Sequence, residues 1–355
     1  MVRNWVLKIL LLPVALIYGF FAELYSRLYD LRFLMPIKFT LPVISIGNLS
    51  VGGTGKTPHT EYLINLLKPF IRIAVLSRGY KRSSKGFQEV LPHSDVKNAG
   101  DEPLLFRKKY PDIKVFVAES RVEGISQMLM KTPDIQTVLL DDAFQHREID
   151  PGLNILLTEY EYPFFNDFFL PFGRLREWRS AYKRADTIIV TKCPLDLDEE
   201  KKDEFLEKLS PIKTQKVFFS FYQYFQPYFM YDSNRRTEIK KEQPILLISA
   251  LASTSYLISY LQKTGCDFHS LEFNDHHEFT FDEIENMSRI FSELRGENKI
   301  ILTTEKDAMR LNEYRSYILT NNLPVFVLPV SVNFLFNQKH EFDNYIKDFL
   351  LEFKS

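Results

Sequence analysis

A doubly wound, mostly parallel α/β sheet with helices on both faces is the fold this sequence predicts, and three observations predict it. Short apolar runs recur from Pro42 onward and read as buried parallel strands. Segments of helical period lie between several of them, the alternation expected of βαβ units. Four of the chain's 13 glycines crowd between Gly47 and Gly55, so one short segment needs unusual backbone freedom.

In chain order, residues 1–35 come first and are expected to hold an apolar helix. From Trp5 to Phe21 the chain is nearly all apolar, with aromatic residues at both ends. A full membrane span takes about 20 residues. Lys8 would cost roughly 2.5–3.5 kcal/mol at mid-bilayer, but from near one end of the run it can reach the interface. No small-residue cleavage site follows, which argues against a removed signal peptide. Arg3 and Lys8 before the run, and Arg27, Arg32 and Lys38 after it, suit a helix lying at an anionic cytoplasmic surface. A spanning helix, or a helix packed on its own protein, are the other readings.

Residues 36–216 are expected to form the core domain. Its strands are Val43–Ile46, Ile71–Leu76, Val115–Ala118, Val138–Leu140, Asn154–Leu157 and Thr187–Val190, with a helical segment at Glu61–Leu67. Residues 217–243 are rich in aromatics (Phe218, Phe219, Phe221, Tyr222, Tyr224, Phe225, Tyr228, Phe229) and read as an extended linker. Residues 244–355 should form a smaller α/β domain. Its strands are Ile245–Ile248, Phe268–Leu271, Ile300–Thr303 and Val325–Leu328, and a capping box at Thr280–Glu283 starts one helix.

Composition narrows the function. With 45% hydrophobic and 26% charged residues in 355, the chain is globular. A formal net charge of −1 gives no electrostatic footprint for nucleic acid. Cys193 and Cys266 form no C-x-x-C pair, which suits a reducing compartment.

The glycine-rich segment carries the chemistry. Ser50-Val51-Gly52-Gly53-Thr54-Gly55-Lys56-Thr57 follows a strand and opens a helix, so it reads as a phosphate-binding P-loop with serine in place of the first glycine. The expected fold is therefore of the P-loop NTPase type. Backbone N–H groups of Gly52, Gly53, Thr54 and Gly55 would face phosphates at a helix N-terminus. Lys56 would reach the β- and γ-phosphates of ATP, and the Thr57 hydroxyl would ligate Mg²⁺. Asp141 and Asp142 end a buried strand, where one carboxylate would hold the metal and the other orient water or the acceptor. Thr191-Lys192-Cys193-Pro194 ends a later strand where GTP-binding proteins carry Asn-Lys-x-Asp; Pro194 replaces the base-reading aspartate, which favours ATP over GTP.

With these residues in view, the chain resembles the tetraacyldisaccharide 4'-kinase family of lipid A biosynthesis. The matching segments are Ser45–Asn48 with Gly52–Pro58, then Leu76–Tyr80, Gly100–Pro103, Glu119–Arg121, Asp141–His146, Leu170–Glu177, Asp275–His277 and Thr304–Asp307. They fall in family order over residues 42–310, with Ala143 where the family usually has glycine. The resemblance implies transfer of the ATP γ-phosphate to the 4'-hydroxyl of a tetraacylated glucosamine disaccharide 1-phosphate, giving lipid IVA. It also implies a place on the cytoplasmic face of the bacterial inner membrane.

By that resemblance Asp101 is the candidate general base, with His276 polarising it or taking its proton; Gly100–Pro103 on its own reads equally as a helix N-cap. Glu102 is a candidate Mg²⁺ ligand beside Thr57 and Asp141. Arg78, Arg121 and Arg174 offer guanidinium forks to phosphates. Tyr80, Asp142, Gln145 and His146 are expected at nucleotide, sugar or head group. Lys306 matches the family and reads as an ion-pair partner of Asp307 or a neighbour. A nucleotide-driven switch or chaperone-type NTPase acting on a protein partner is the alternative function, and a membrane-associated nucleotide-binding module a third. No obligate protein partner is evident.

Overall fold

Residues 5–353, with side chains from residue 11 onward, are described in this computed structural model, and they form two sheets. Arg3, and the side chain of Lys8, both expected to flank the anchoring helix, lie outside that described set. The first eight strands are β1 (Val43–Asn48), β2 (Ile73–Ser77), β3 (Gln88–Glu89), β4 (Lys114–Val117), β5 (Thr137–Asp141), β6 (Leu153–Glu159), β7 (Thr187–Thr191) and β8 (Lys216–Tyr224). The remainder are β9 (Tyr228–Phe229), β10 (Asp232–Arg236), β11 (Pro244–Ser249), β12 (Asp267–Glu272), β13 (Ile300–Thr304), β14 (Val325–Leu328) and β15 (Val330–Phe334).

The larger sheet has the order β15-β8-β7-β6-β1-β5-β2-β4-β3. Its seven central strands are parallel, and β15 and β3 close its two edges antiparallel. Every residue of β1, β5 and β6 is buried, which explains why those runs carry no polar alternation. Alternate side chains feed opposite cores. Ile44 and Ile46 pack with Leu63, Ile64 and Phe342 on one face, whereas Val43, Leu76 and Leu140 pack with Ile125 and Met128 on the other.

The smaller sheet has the order β10-β9-β14-β13-β11-β12, with its own cores around Leu246, Ile248 and Ile301 and around Ile245 and Leu302. The expected capping box is present, Thr280 with Glu283.

The topology redraws two expected boundaries. The segment 217–243 is not a free-standing linker, because β8 pairs along its length with β7 and β15 inside the larger sheet. Nor do residues 244–355 stay together: after β14 the chain crosses back at Pro329, β15 joins the larger sheet, and the helix Lys339–Glu352 buries Phe342 and Ile346 in the first core. Apolar runs mark strands, but partner choice is set by long-range packing that no local pattern records. The two crossings lie side by side, with Phe225 N–H donating to the Pro329 carbonyl at 3.1 Å.

The first helix spans Trp5–Asp30. Its Leu11–Asp30 portion is long and apolar enough to cross a membrane, and only 11% of that stretch is buried in the protein. One edge docks: Ala15 is buried, Trp178 Nε1 donates to the Gly19 carbonyl at 3.0 Å, and the Tyr18 hydroxyl donates to the Arg176 carbonyl at 3.0 Å.

Candidate active site

The P-loop is shaped by groups outside it. Asn48, at the end of β1, donates from Nδ2 to the Ser50 carbonyl (2.6 Å) and to Thr54 Oγ1 (2.9 Å). Thr191, at the end of β7, donates to the Thr54 carbonyl at 2.8 Å. His59, buried one turn into the helix Lys56–Leu67, donates from Nδ1 to the Gly55 carbonyl at 2.7 Å. Gly55 itself has φ 95°, a left-handed conformation that a side chain would strain. The loop therefore presents its backbone to a cavity of about 650 Å³ lying between the two sheets. Gly52 to Thr57 all line that cavity, together with Arg78, Tyr80, Glu102, Asp142, Gln145, His146, His276 and Lys306.

Charge is distributed in two groups around the loop. Asp142, in the left-handed region at φ 48°, takes Lys56 Nζ at 3.7 Å and Arg176 Nη1 at 3.0 Å. Burial pushes its carboxyl up, but those two cations outweigh burial and hold it below the usual range. Asp141 is different. It is wholly buried, accepts from Ser77 Oγ at 3.2 Å and Thr60 Oγ1 at 3.4 Å, and does not reach the cavity wall. Burial first, then the negative charges of Glu102 and Asp142, raise its pKa to about 7.

The second group joins the sheets. Gly100 caps the helix Asp101–Lys109 with φ 88°, so Asp101 is its first residue and not its cap. Asp101 Oδ1 accepts from the Glu102 N–H at 2.9 Å, and Oδ2 accepts from His276 Nδ1 at 2.9 Å and Arg310 Nη1 at 3.0 Å. Burial raises the Asp101 carboxyl, yet the His276 hydrogen bond and the Lys306, His276 and Arg310 charges prevail and hold it far below its ordinary value. Lys306 Nζ lies 3.1 Å from His276 Nε2, 3.2 Å from Glu102 Oε1 and 3.6 Å from Asp275 Oδ1. Although burial opposes it, the charges of Glu102, Asp101 and Asp275 raise the Lys306 pKa, so it carries its proton and donates to Nε2. His276 thus turns Nδ1 to Asp101 and Nε2 to Lys306, with Tyr80 against its ring at 4.9 Å. His277 turns away to Glu283 and stacks on Phe273.

Three expected site residues stand apart from the cavity lining. Arg121 is fully buried and spends its guanidinium on the carbonyls of Ala118 (2.7 Å) and Asp141 (3.2 Å), so it props the strand end. Arg174 pairs with Asp167 at 2.7 Å and lies over Tyr162, outside the cavity lining. Asp101 has both oxygens engaged and faces a separate 90 Å³ pocket, whereas His276 faces both. Sequence reasoning also passed over Arg176, although it lies within a matched segment, and left Lys306 with a generic ion-pair role. Their partners are distant in sequence, and only the fold brings them together.

The donor set suits magnesium. The Thr57 hydroxyl donates to Glu102 Oε1 at 3.1 Å, and Asp142 stands across the loop; hard oxygen ligands, few carboxylates and room for phosphate oxygens match that ion.

Comparison with known proteins places the chain. The sequence pattern of LpxK, described as tetraacyldisaccharide-1-P 4'-kinase, matches residues 7–351. A tetraacyldisaccharide 4'-kinase of Bacteroides thetaiotaomicron is 42% identical over 355 residues, covering 96% of this chain and 93% of that one. One from Flavobacterium psychrophilum is 42% identical over 344 residues, covering 96% of each. Among solved structures, the "apo" form of LpxK from Aquifex aeolicus in complex with ATP aligns with a TM-score of 0.73 and 30% identity, covering 97% of this chain and 99% of that chain.

Proposed function

The chain belongs to the tetraacyldisaccharide-1-P 4'-kinase family, and from that premise we propose how its own residues phosphorylate the 4'-hydroxyl of a tetraacylated glucosamine disaccharide 1-phosphate, giving lipid IVA. ATP lies along the P-loop, its phosphates on the backbone N–H groups of Gly52 to Gly55 and on Lys56. Arg78, which lines the cavity and pairs with no carboxylate among the described residues, is available for the transferred phosphoryl group. Thr57 and Glu102 would hold Mg²⁺, which neutralises charge on the phosphate oxygens, while Asp141 stands behind them.

The single observation that carries the reading is the Asp101–His276 pair at 2.9 Å, set in the wall facing the loop. Phosphoryl transfer to a sugar hydroxyl needs positioning and a group to take the hydroxyl proton. Of the pair only His276 lines the cavity, and Nε2 is the ring nitrogen that Asp101 does not occupy. Lys306 must yield Nε2 as the proton arrives, and Glu102 and Asp275 are at hand to keep its ammonium. Gln145, His146 and Arg176 line the same cavity and suit the sugar and its phosphate. The exposed apolar face of the first helix suits docking at the cytoplasmic face of the inner membrane, where such a glycolipid is held.

Purified protein with Mg²⁺ and ATP should phosphorylate the tetraacyldisaccharide 1-phosphate. His276→Gln and Asp101→Asn should each lower kcat by about 10²- to 10⁴-fold while leaving ATP affinity nearly intact. A larger loss for Asp101→Asn than for His276→Gln would move the proton-accepting role to the carboxylate. Collapse of ATP binding in both variants would make the pair structural.

A further inference from the structure

The Thr191-Lys192 strand end takes no part in the mechanism above, yet its lysine stands inside the same cavity. Lys192 is held at φ 56°, in the left-handed region, a conformation costly for a long side chain and common where function demands a direction. Its side chain is 11% exposed and pairs with Glu159, 8% exposed, at 3.3 Å from the end of β6. The neighbouring Thr191 fastens this strand end to the loop through the Thr54 carbonyl. A methyl group placed on Gly53 would come within 3.9 Å of Lys192 Nζ and 3.4 Å of Ala252 Cβ, so the ammonium borders the loop backbone.

We propose that Lys192 is a second phosphate-binding cation, gripping the nucleotide's phosphate chain across the P-loop from Lys56. The inference rests on the kinase reading and deepens it. Holding a lysine so nearly out of water against one carboxylate is unfavourable unless something repays it, and two ammonium groups facing one loop repel each other until an anion lies between them. A polyphosphate lying on Gly53 supplies that anion. Glu159 keeps the ammonium aimed while the cavity waits, and its single charge leaves donors over for phosphate oxygens. The strand end thus serves the phosphates in a chain whose Pro194 has given up the base-reading carboxylate. Burial lowers the Lys192 pKa and the charges of Arg174 and Lys56 add to that effect, partly offset by Glu159, so bound phosphate should also restore its full charge.

Steady-state kinetics of the whole protein test this, with ADP and adenosine as competitive inhibitors against ATP. In Lys192→Met the KM for ATP and the inhibition constant of ADP should rise about tenfold, the scale of one charge-assisted hydrogen bond. The adenosine constant and the glycolipid KM should stay as in the wild type, and Lys192→Arg should recover most of the loss. Because Lys192→Met strands Glu159, Lys192→Met/Glu159→Gln removes both charges and should show the same split. Equal weakening of ADP and adenosine, or unchanged ADP inhibition, overturns the proposal. Wild-type turnover in the same assay reports separately on the kinase reading.

Discussion

His59 sits one turn beyond Lys56, with its Nδ1–H on the Gly55 carbonyl and its Nε2 3.0 Å from Ser220 Oγ. Burial pushes its pKa down to about 4, against a smaller upward pull from the Gly55 bond. The unfolded chain takes up this proton near pH 6.5, whereas the folded chain stays neutral until about pH 4. Stability is therefore fully present above the upper value and falls as pH drops through that window, by roughly 3 kcal/mol for a wholly buried ring. Urea unfolding at pH 7.5 and pH 4.5 should show the wild type losing more stability than His59→Gln. Equal losses would mean that the ring is protonated in the fold. Residues like this one mark the limit of what sequence discloses about the site. The P-loop is legible because its motif is contiguous, and Asp101, Glu102 and His276 are legible through the family resemblance. Burial is not legible: Arg121 and Asp141, expected at phosphate and metal, are both wholly buried, with Arg121 Nη2 donating to the Asp141 carbonyl. Lys306 was legible as a match but not as a role, since its partners come from two other segments.

Among the elements, the first helix divides its labour by face. Small residues let one edge approach closely: Ala15 is buried, and a methyl group at Gly19 would press within 2.9 Å of the Phe169 ring. Its far end is tied down by Arg147, which donates to Ser26 at 2.9 Å and pairs with Asp30 at 2.8 Å. The opposite face leaves Ile17, Phe20 and Phe21 between 59% and 62% exposed, and Phe33 and Met35 beyond the helix more so. An apolar face this continuous on a surface helix is what lies in a headgroup layer. Phe20→Glu/Phe21→Glu should move the protein from membrane to soluble fractions and weaken glycolipid turnover in vesicles. Its thermal midpoint should be nearly unchanged, since the two rings are mostly exposed and meet each other edge-on; unchanged fractionation would refute the docking role. The apolar run Trp5–Phe21 shows this helix's character but not its extent to Asp30, and every expected strand is present. Local pattern could not say which strands pair, because β8 and β15 look alike whether they share a sheet or not.

Over the whole molecule, one lysine outside the His276 cluster also ties the lobes together. Lys109 pairs at 2.8 Å with Glu61, on the P-loop helix, and at 2.8 Å with Glu305, beside Lys306 on the other lobe. Burial raises the Glu61 pKa to about 7 despite that pairing, so the triad depends on its lysine. Lys109→Met should cost about 3 kcal/mol, the usual penalty of stranding buried charge, and split the calorimetric transition in two. Glu61→Gln/Lys109→Met/Glu305→Gln should recover much of it; a single variant as stable as the wild type would show that the lobes are held elsewhere. The paired crossings at 225–228 and 329 carry a further consequence, for synthesis. The ribosome delivers β8 early, but the strand that covers its edge, β15, follows only after residues 225–329. At about 5–20 residues per second, a strand bearing Phe218, Phe219 and Phe221 waits roughly 5 to 20 seconds with its edge unpaired. The nascent chain thus exposes a sticky edge for as long as the inserted lobe takes to emerge, and a strand-capping chaperone or a slow codon run would act on it there.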